Sequence, residues 1–446
     1  CPELEQEWNW SERYASQPEI LAYANEIADR LELRRDICFE RQVVQARFDE
    51  SDHEWSVVCD TGERVRARFF IMATGCLSVP NKVEFEGQDS FGGPIYQTGN
   101  WPHQPVDFTG KKVAVIGTGW CGGMRAESLA KSALVDKLHI CEIKPERLAE
   151  VKELTNPATA TSDYHDIIRN PAIEVVYIST TPEPTHYPIA RDCLKAGKHV
   201  LLEKPIAMEL AEADDLINIA RENGVKFTIG YSQRFNPKIA WAKKAISEGK
   251  LGKIVNVMVS RHLSRTLGER IAGRVKLSPA AMESTHDLDF VYWLLGAKPT
   301  KVYSQGAYGF MEELNGSYDC MWNTVNMDNG TLVVVGGGWN LPPSYPNYCA
   351  TWIEITGTEG SLVLDDTSRD NWLNLADGGT QFPMSTMPGE HVDHMYAGQM
   401  GPETLHFLES VLLDREPLVS AEYARMVMES YLAADISAEI GEPVSL

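Results

Sequence analysis

The chain has 446 residues, 43% of them hydrophobic, and a formal net charge of −22, so two to three domains with real cores are expected, and nucleic acid and anionic membranes are poor partners. No apolar run approaches the roughly 18 residues of a membrane span and no signal peptide is visible. Nine cysteines without a C-x-x-C pair read as reduced thiols of a cytoplasmic protein.

In chain order, the first element is an amphipathic helix over residues 18–33, with Ile20, Leu21, Ala24, Ile27, Ala28 and Leu31 at helical spacing. Residues 38–48, 54–59 and 65–72 alternate like a three-stranded meander with polar turns. Residues 81–110 are rich in Gly and Pro and read as an ordered loop or a linker.

The next stretch carries chemistry. Residues 113–116 are wholly apolar, as in a parallel strand buried on both faces. Gly117, Gly119 and Gly122 then give G-x-G-x-x-G spacing, with Trp120 and Cys121 inside the loop. Gly117 allows the tight turn, Gly119 the approach of a pyrophosphate, and Gly122 close packing of the following helix. That helix aims free N–H groups at an anion. A second strand, residues 137–142, ends in Glu142, about 20 residues on, where the ribose hydroxyls of a dinucleotide sit. A carboxylate there accepts from the 2′-OH of NAD and repels a 2′-phosphate. Lys144 and Arg147 either soften that repulsion or are solvated helix-start residues, so NAD is preferred with NADP as the alternative.

Two more strand–helix units follow. Residues 173–178 lead into Thr180, Thr181, Pro182 and His186, and residues 199–202 end in Glu203, Lys204 and Pro205. Ligands of open α/β sheets bind outside the carboxyl ends of the strands, so topology delivers Lys204 to the reactive end of a cofactor. Residues 331–336 and 352–356 supply strands of a second sheet, and 402–440 read as two helices around Asp414-Arg-Glu-Pro417. His391-Val-Asp-His394 lacks a third ligand nearby, so no metal is expected.

These residues resemble the Gfo/Idh/MocA oxidoreductase family from residue 112 to the C-terminus. Besides the glycine loop, the matching motifs are Asp163-Tyr-His-Asp-Ile-Ile168, Ala172-Ile-Glu-Val-Val-Tyr-Ile-Ser-Thr-Thr-Pro182, Ala196-Gly-Lys-His-Val-Leu-Leu-Glu-Lys-Pro205, Gln233-Arg-Phe-Asn-Pro237, His286-Asp-Leu-Asp289 and Glu354-Ile-Thr-Gly-Thr-Glu-Gly-Ser-Leu362. The resemblance implies NAD(P)-dependent hydride transfer between a nicotinamide and a secondary alcohol or ketone of a sugar, cyclitol or related cyclic compound. Lys204 would polarise the oxygen and stabilise developing alkoxide charge, and His286 would take the proton. Asp289, three residues on, shares a helix face with His286 and either orients the imidazole or packs. His186 is a cofactor-side or structural histidine. Tyr231 and Arg234, at the domain crossing, and Arg261 and His262, at the end of the next strand, are candidate substrate contacts. The family often carries an aspartate four residues before the histidine; that position is Met282. Glu283 is the nearest substitute, although on a helix it points elsewhere.

The first hundred residues resemble a different family. Phe91-Gly-Gly-Pro-Ile-Tyr-Gln-Thr-Gly-Asn-Trp-Pro102, Glu7-Trp-Asn-Trp-Ser-Glu-Arg-Tyr-Ala-Ser-Gln-Pro-Glu-Ile20 and Ile71-Met-Ala-Thr-Gly-Cys-Leu-Ser78 are similar to Baeyer–Villiger monooxygenases. The histidine of that fingerprint is Gln97. The flavin-binding glycine strand would precede residue 1, so FAD is not expected. Both families share a Lys-Val-Ala-Val-Ile-Gly-Thr-Gly strand and loop, here residues 112–119, so the chain reads as a chimera joined there.

The expected fold class is α/β. An incomplete flavoprotein-like fragment (1–109) precedes a Rossmann dinucleotide-binding domain (110–232) and a C-terminal α+β domain with an open, largely antiparallel sheet (233–446). Family members commonly associate through the outer face of that sheet, which implies a homodimer or homotetramer. Three functions compete: an NAD(P)-dependent dehydrogenase, a non-catalytic NAD-bound sensor or scaffold, and, disfavoured by Gln97, a flavin monooxygenase.

Overall fold

The structure, a computed structural model, describes residues 7–12, 15–74, 110–347, 349–367, 371–377, 379–383, 390–392 and 395–446. The Phe91–Pro102 fingerprint with Gln97, the 81–109 loop and His394 lie outside the described residues, as does the side chain of His391. The chain divides into two compact units, 1–106 and 107–446.

In the first unit, helix α1 (Gln17–Arg30) precedes an antiparallel sheet in the order β1 (Val43–Asp49), β2 (Glu54–Cys59), β3 (Arg64–Ala67). The helix and meander read from periodicity are therefore present, with shorter outer strands. Phe48, Trp55 and Phe70 form a row of mutually tilted rings, with centroids 5.4 Å apart at each step. Helix α1 buries no residue, and Ile20 and Leu21 of its apolar stripe are exposed.

The second unit opens with a six-stranded parallel sheet. Its strands and helices alternate: β4 (Lys111–Ile116), α2 (Trp120–Ala130), β5 (Val135–Cys141), α3 (Pro145–Thr155), β6 (Thr159–Thr161), α4 (Tyr164–Arg169), β7 (Val175–Ile178), α5 (His186–Lys195), β8 (His199–Glu203), α6 (Leu210–Glu222) and β9 (Phe227–Gly230). The order β6-β5-β4-β7-β8-β9 reverses direction at β4. Loops after β4 and β7 therefore flank the crevice where ligands of doubly wound sheets bind. Alternation along β4 sends Val113 and Val115 into one core and Ala114 and Ile116 into the other, which is why the run is apolar throughout.

The chain then builds a mixed seven-stranded sheet. Its elements are α7 (Pro237–Ser247), β10 (Ile254–Ser264), α8 (Arg265–Ala272), α9 (Thr285–Leu295), β11 (Pro299–Ala307), α10 (Phe310–Asn315), β12 (Cys320–Met327), β13 (Leu332–Leu341), β14 (Cys349–Gly357) and β15 (Ser361–Asp365). Two hairpins come next, β16 (Leu373–Leu375) with β17 (Gly379–Gln381) and β18 (Glu390–Val392) with β19 (Met395–Ala397), and then α11 (Met400–Leu412), α12 (Ala421–Ile440) and β20 (Val444–Ser445). The sheet order is β15-β14-β10-β13-β12-β11-β20, with only β10 and β13 parallel. The two C-terminal helices fall where the sequence places them, but they pack apart. Helix α11 returns to the first sheet: Phe407 and Leu408 join the core of Val113, Leu138, Tyr177 and Leu201, and Tyr177 Oη donates to the Thr404 carbonyl at 2.8 Å. Helix α12 packs with Tyr292 and Val302 of the other core. Among the described residues no helix is long and apolar enough to cross a membrane.

Candidate active site

The glycine loop between β4 and α2 has the geometry its sequence demands. Gly117 lies at φ +80°, and a Cβ there would stand 2.7 Å from the Ser179 carbonyl oxygen. A Cβ on Gly122 would collide with the Gly117 carbonyl. A Cβ on Gly119 would meet nothing within 4 Å: it would project into the open cradle where a pyrophosphate approaches the backbone. The residues thus fit a dinucleotide. Glu142, just past β5, is buried, with Oε2 accepting from Thr118 N–H at 2.8 Å and Oε1 from Lys144 N–H at 3.0 Å. Arg147 is not a solvated helix-start residue. Its Nε donates to the Thr118 carbonyl at 2.6 Å and Nη2 to that of Gly119 at 3.2 Å. Trp120 is half-exposed at the start of α2. Burial, then the neighbouring Glu203 charge, pushes the Cys121 thiol up to about 12, so Cys121 is not a nucleophile near neutral pH.

Across the crevice, the loop after β7 carries Thr180, Thr181 and Pro182, with Thr180 Oγ1 2.7 Å from Thr185 Oγ1. His186 Nδ1 lies 2.8 Å from the Pro205 carbonyl and Nε2 2.9 Å from that of Thr180. A neutral imidazole has one N–H, so it donates to one of these two carbonyls at a time, and both ring nitrogens face backbone. His186 staples the β7 loop to the loop that carries Lys204.

Lys204 and His286 meet beyond the carboxyl end of β8. Lys204 Nζ donates to the Met282 carbonyl at 2.7 Å, with the Met282 sulfur 3.3 Å away. Residues Ala280–Ser284 form a π-turn ahead of α9, a feature that recurs at functional sites and that periodicity does not reveal. His286 is partly exposed as a residue, while its Nδ1 is buried without a partner among the described residues. Burial, then the charges of Lys204 and Arg261, hold this imidazole well below its ordinary range, so the ring is neutral at pH 7 and able to accept a proton. Tyr231 closes one side, its ring edge-on to His286 with centroids 6.2 Å apart and its Oη 2.8 Å from Thr285 Oγ1. Arg261 lies behind, its Nε 2.9 Å and Nη2 2.8 Å from Asp287 Oδ1. Thr285 and Asp287 also belong to the site; Asp287 lies inside the His286-Asp-Leu-Asp289 motif, which alone gives it no role, and Thr285 lies just before it.

Four expectations need correction. Asp289 does not orient His286, and Arg234 does not line the pocket. They form a buried pair with each other, Nη2–Oδ1 2.7 Å and Nε–Oδ2 3.0 Å. His262 sits on the opposite face of the sheet from Arg261, because side chains alternate along β10; it packs beside Trp322, centroids 6.2 Å apart. Glu283 does not replace an aspartate at position 282. Its Oε1 accepts from the Trp339 indole N–H at 2.8 Å.

Two known families match along the second unit. A family described as "Oxidoreductase family, NAD-binding Rossmann fold" matches residues 111–231, and "GFO/IDH/MocA C-terminal domain" matches residues 239–363. The myo-inositol 2-dehydrogenase of Thermotoga maritima is 26% identical over 347 residues, covering 75% of this chain and 98% of that protein. The crystal structure of scyllo-inositol dehydrogenase from Lactobacillus casei with bound NAD(H) and scyllo-inositol aligns with a TM-score of 0.65 at 21% identity. It covers 76% of this chain and 99% of that chain, a likeness of fold. A separate stretch is 42% identical over 133 residues to acetone monooxygenase (methyl acetate-forming) of Gordonia sp. (strain TY-5), 30% of this chain. The chain spans only about a quarter of the length of that monooxygenase and its relatives. Through residues 111–363, with the Rossmann sheet, its glycine cradle and the mixed sheet beyond it, the chain belongs to the Gfo/Idh/MocA oxidoreductase family.

Proposed function

We propose that the protein is an NAD-dependent dehydrogenase of a cyclitol, sugar or related cyclic secondary alcohol. The observation that carries this reading is the convergence of a lysine ammonium and a neutral imidazole, its Nδ1 without a hydrogen-bond partner among the described residues, beside an open dinucleotide cradle. NAD, held by the loop at Gly117, Gly119 and Gly122 and by Glu142, supplies the hydride acceptor when bound. The chain's own residues do the rest. Lys204 Nζ donates to the substrate oxygen and stabilises negative charge as the O–H bond weakens. His286 takes the hydroxyl proton at a ring nitrogen. The carbinol carbon gives up hydride with its electron pair, and a ketone remains. Tyr231 and the Arg261–Asp287 pair fix the imidazole's surroundings.

The myo- and scyllo-inositol dehydrogenase relatives make inositols the first substrates to test. Purified protein with NAD and NADP is to be screened against inositols, aldoses and cyclic alcohols, following absorbance of the reduced nicotinamide. One observation favours a second reading, an NAD-bound sensor: Lys204 faces the Met282 carbonyl and thioether rather than a carboxylate. Tight NAD binding with no turnover across the panel would select it.

Two further outcomes are expected. Because the Glu142 carboxylate stands where a 2′-phosphate would come, NAD should bind more tightly than NADP, and Glu142→Ala should narrow the gap. Calorimetry showing NADP tighter in the unmutated protein would refute the ribose assignment. Because His286 is held below the ordinary imidazole range, its base form persists as pH falls through 6.5. The acid limb of kcat/KM should therefore lie below pH 6.5; an acid limb above it would count against His286 as the base.

The strand β4 at Lys111 is complete and its core closes within the second unit. Protein beginning at Asp107 is thus expected to keep its NAD affinity, measured by calorimetry, and any turnover. Loss of either would give the first 106 residues a part in the site. We place the protein in the cytoplasm, since the described cysteines are all free thiols. Assembly as a homodimer or homotetramer through the outer face of the mixed sheet is supported by exposed Trp322 and Trp352 there.

A further inference from the structure

Behind the site lies a buried charge cluster that the proposed chemistry does not use. Arg125, in α2 three residues beyond Gly122, is completely buried. Its Nη2 lies 2.6 Å and its Nε 3.2 Å from Oε1 of Glu203, the residue before Lys204. The same Nη2 lies 2.7 Å from Glu403 Oε2, and Nη1 donates to Thr404 Oγ1 at 2.9 Å. Glu403 and Thr404 come from α11, some 280 residues along the chain. One guanidinium therefore ties together the helix that ends the glycine cradle, the end of β8, and the returning C-terminal helix.

The surroundings are shaped for this contact. Gly230, paired with Glu203 across β8 and β9, has no Cβ. One would stand 3.0 Å from Arg125 Nη2 and 3.1 Å from the Glu203 carboxylate. Glu403 Oε1 is buried without a partner among the described residues. Burial pushes this carboxyl up to about 7 against the pull of Arg125. A buried cation shared between two carboxylates is weak evidence for stability, because desolvation offsets most of the attraction. What it supplies is geometry: a planar guanidinium fixes the relative position of everything it bonds.

We infer that Arg125, braced by Glu403 and Thr404, is a positioning residue that fixes Glu203 and so sets where the Lys204 amine stands relative to the glycine cradle. This rests on Lys204 acting as proposed above. Lysine at position 125 keeps the charge and loses the planar fork. Glutamine at 403 keeps an acceptor for Nη2, whereas leucine removes it.

The test compares Arg125→Lys, Glu403→Gln and Glu403→Leu with the unmutated protein. Lysines are reductively ¹³C-methylated, and the Lys204 signal is identified by its absence in Lys204→Arg. NADH affinity is read by fluorescence, melting temperature by calorimetry, and turnover with myo-inositol and NAD. Arg125→Lys and Glu403→Leu should displace the Lys204 signal and lower kcat roughly 10- to 100-fold with KM and NADH affinity held within about threefold. Glu403→Gln should stay near the unmutated protein in both readouts. A Lys204 signal and kcat unmoved in both Arg125→Lys and Glu403→Leu, with only the melting temperature lowered, would overturn the inference and leave a structural brace. Should the unmutated protein not oxidise myo-inositol, the Lys204 signal alone decides; an undisplaced signal then overturns the positioning role, and absent turnover counts only against the substrate.

Discussion

Replacing Lys204 or His286 by alanine is expected to lower turnover by about two orders of magnitude or more, while NAD affinity changes no more than a few-fold. The size reflects the job each side chain performs. Loss of a positioned general base typically costs 10²- to 10⁴-fold, and loss of a donor aimed at a developing oxyanion costs on the order of 3 kcal/mol. Nucleotide affinity should survive because the cradle is built from the backbone at Gly117, Gly119 and Gly122 and from Glu142, none of which leans on either side chain. The two variants should differ in pH behaviour. His286→Ala removes the acid limb of kcat/KM, whereas Lys204→Ala keeps it and moves it upward, since Lys204 is one of the two charges that depress the imidazole. Near-normal turnover of either variant on a confirmed substrate would remove that residue from the chemistry.

The cofactor half of the site is legible in the sequence because its signals are local. The glycine spacing, the apolar run before it and the acid after the next strand all lie within residues 113–142, and in a parallel sheet the loops at the strands' carboxyl ends share one edge. Lys204 is legible for the same reason. The substrate half is not, because it depends on which faces pack together. Alternation says that Arg261 and His262 point to opposite faces of β10, but not which face meets α9; the Asp287 carboxylate, 2.9 Å from Arg261, decides that. Helical spacing places Asp289 on the same side of α9 as His286. It cannot show that Arg234, from the turn after β9, reaches that carboxylate first. The π-turn at Ala280–Ser284 further weakens any count of residues back from His286, and so bears on how Met282 is compared with the family aspartate. Arg125 and Glu403 leave no trace in sequence, since nearly 280 residues separate partners 2.7 Å apart.

Asp289→Ala is expected to destabilise the protein by about 3–5 kcal/mol, the usual cost of stripping one partner from a buried ion pair. Arg234 and Asp289 are 2% and 0% exposed at their side chains, with two hydrogen bonds between them. Arg234 also donates to the Leu418 carbonyl at 2.9 Å and lies 4.3 Å from the Tyr423 ring centroid. Without the carboxylate, the guanidinium keeps one carbonyl and an aromatic face but no counter-charge, in a nearly fully buried site. Each kcal/mol shifts melting by about 2–4 °C in a domain of this kind, so a fall on the order of 10 °C should be seen by calorimetry. The double variant Arg234→Met, Asp289→Leu removes both charges and should recover much of the loss, because apolar replacement of a whole buried pair is often neutral. The same experiment separates a structural Asp289 from one that serves catalysis. Below the melting transition, Asp289→Ala should turn over within a few-fold of the unmutated protein, since among the described residues no hydrogen bond or ion pair joins His286 to this pair. A variant that keeps its melting temperature but loses turnover a hundredfold would return Asp289 to the role of orienting His286, against the geometry described above.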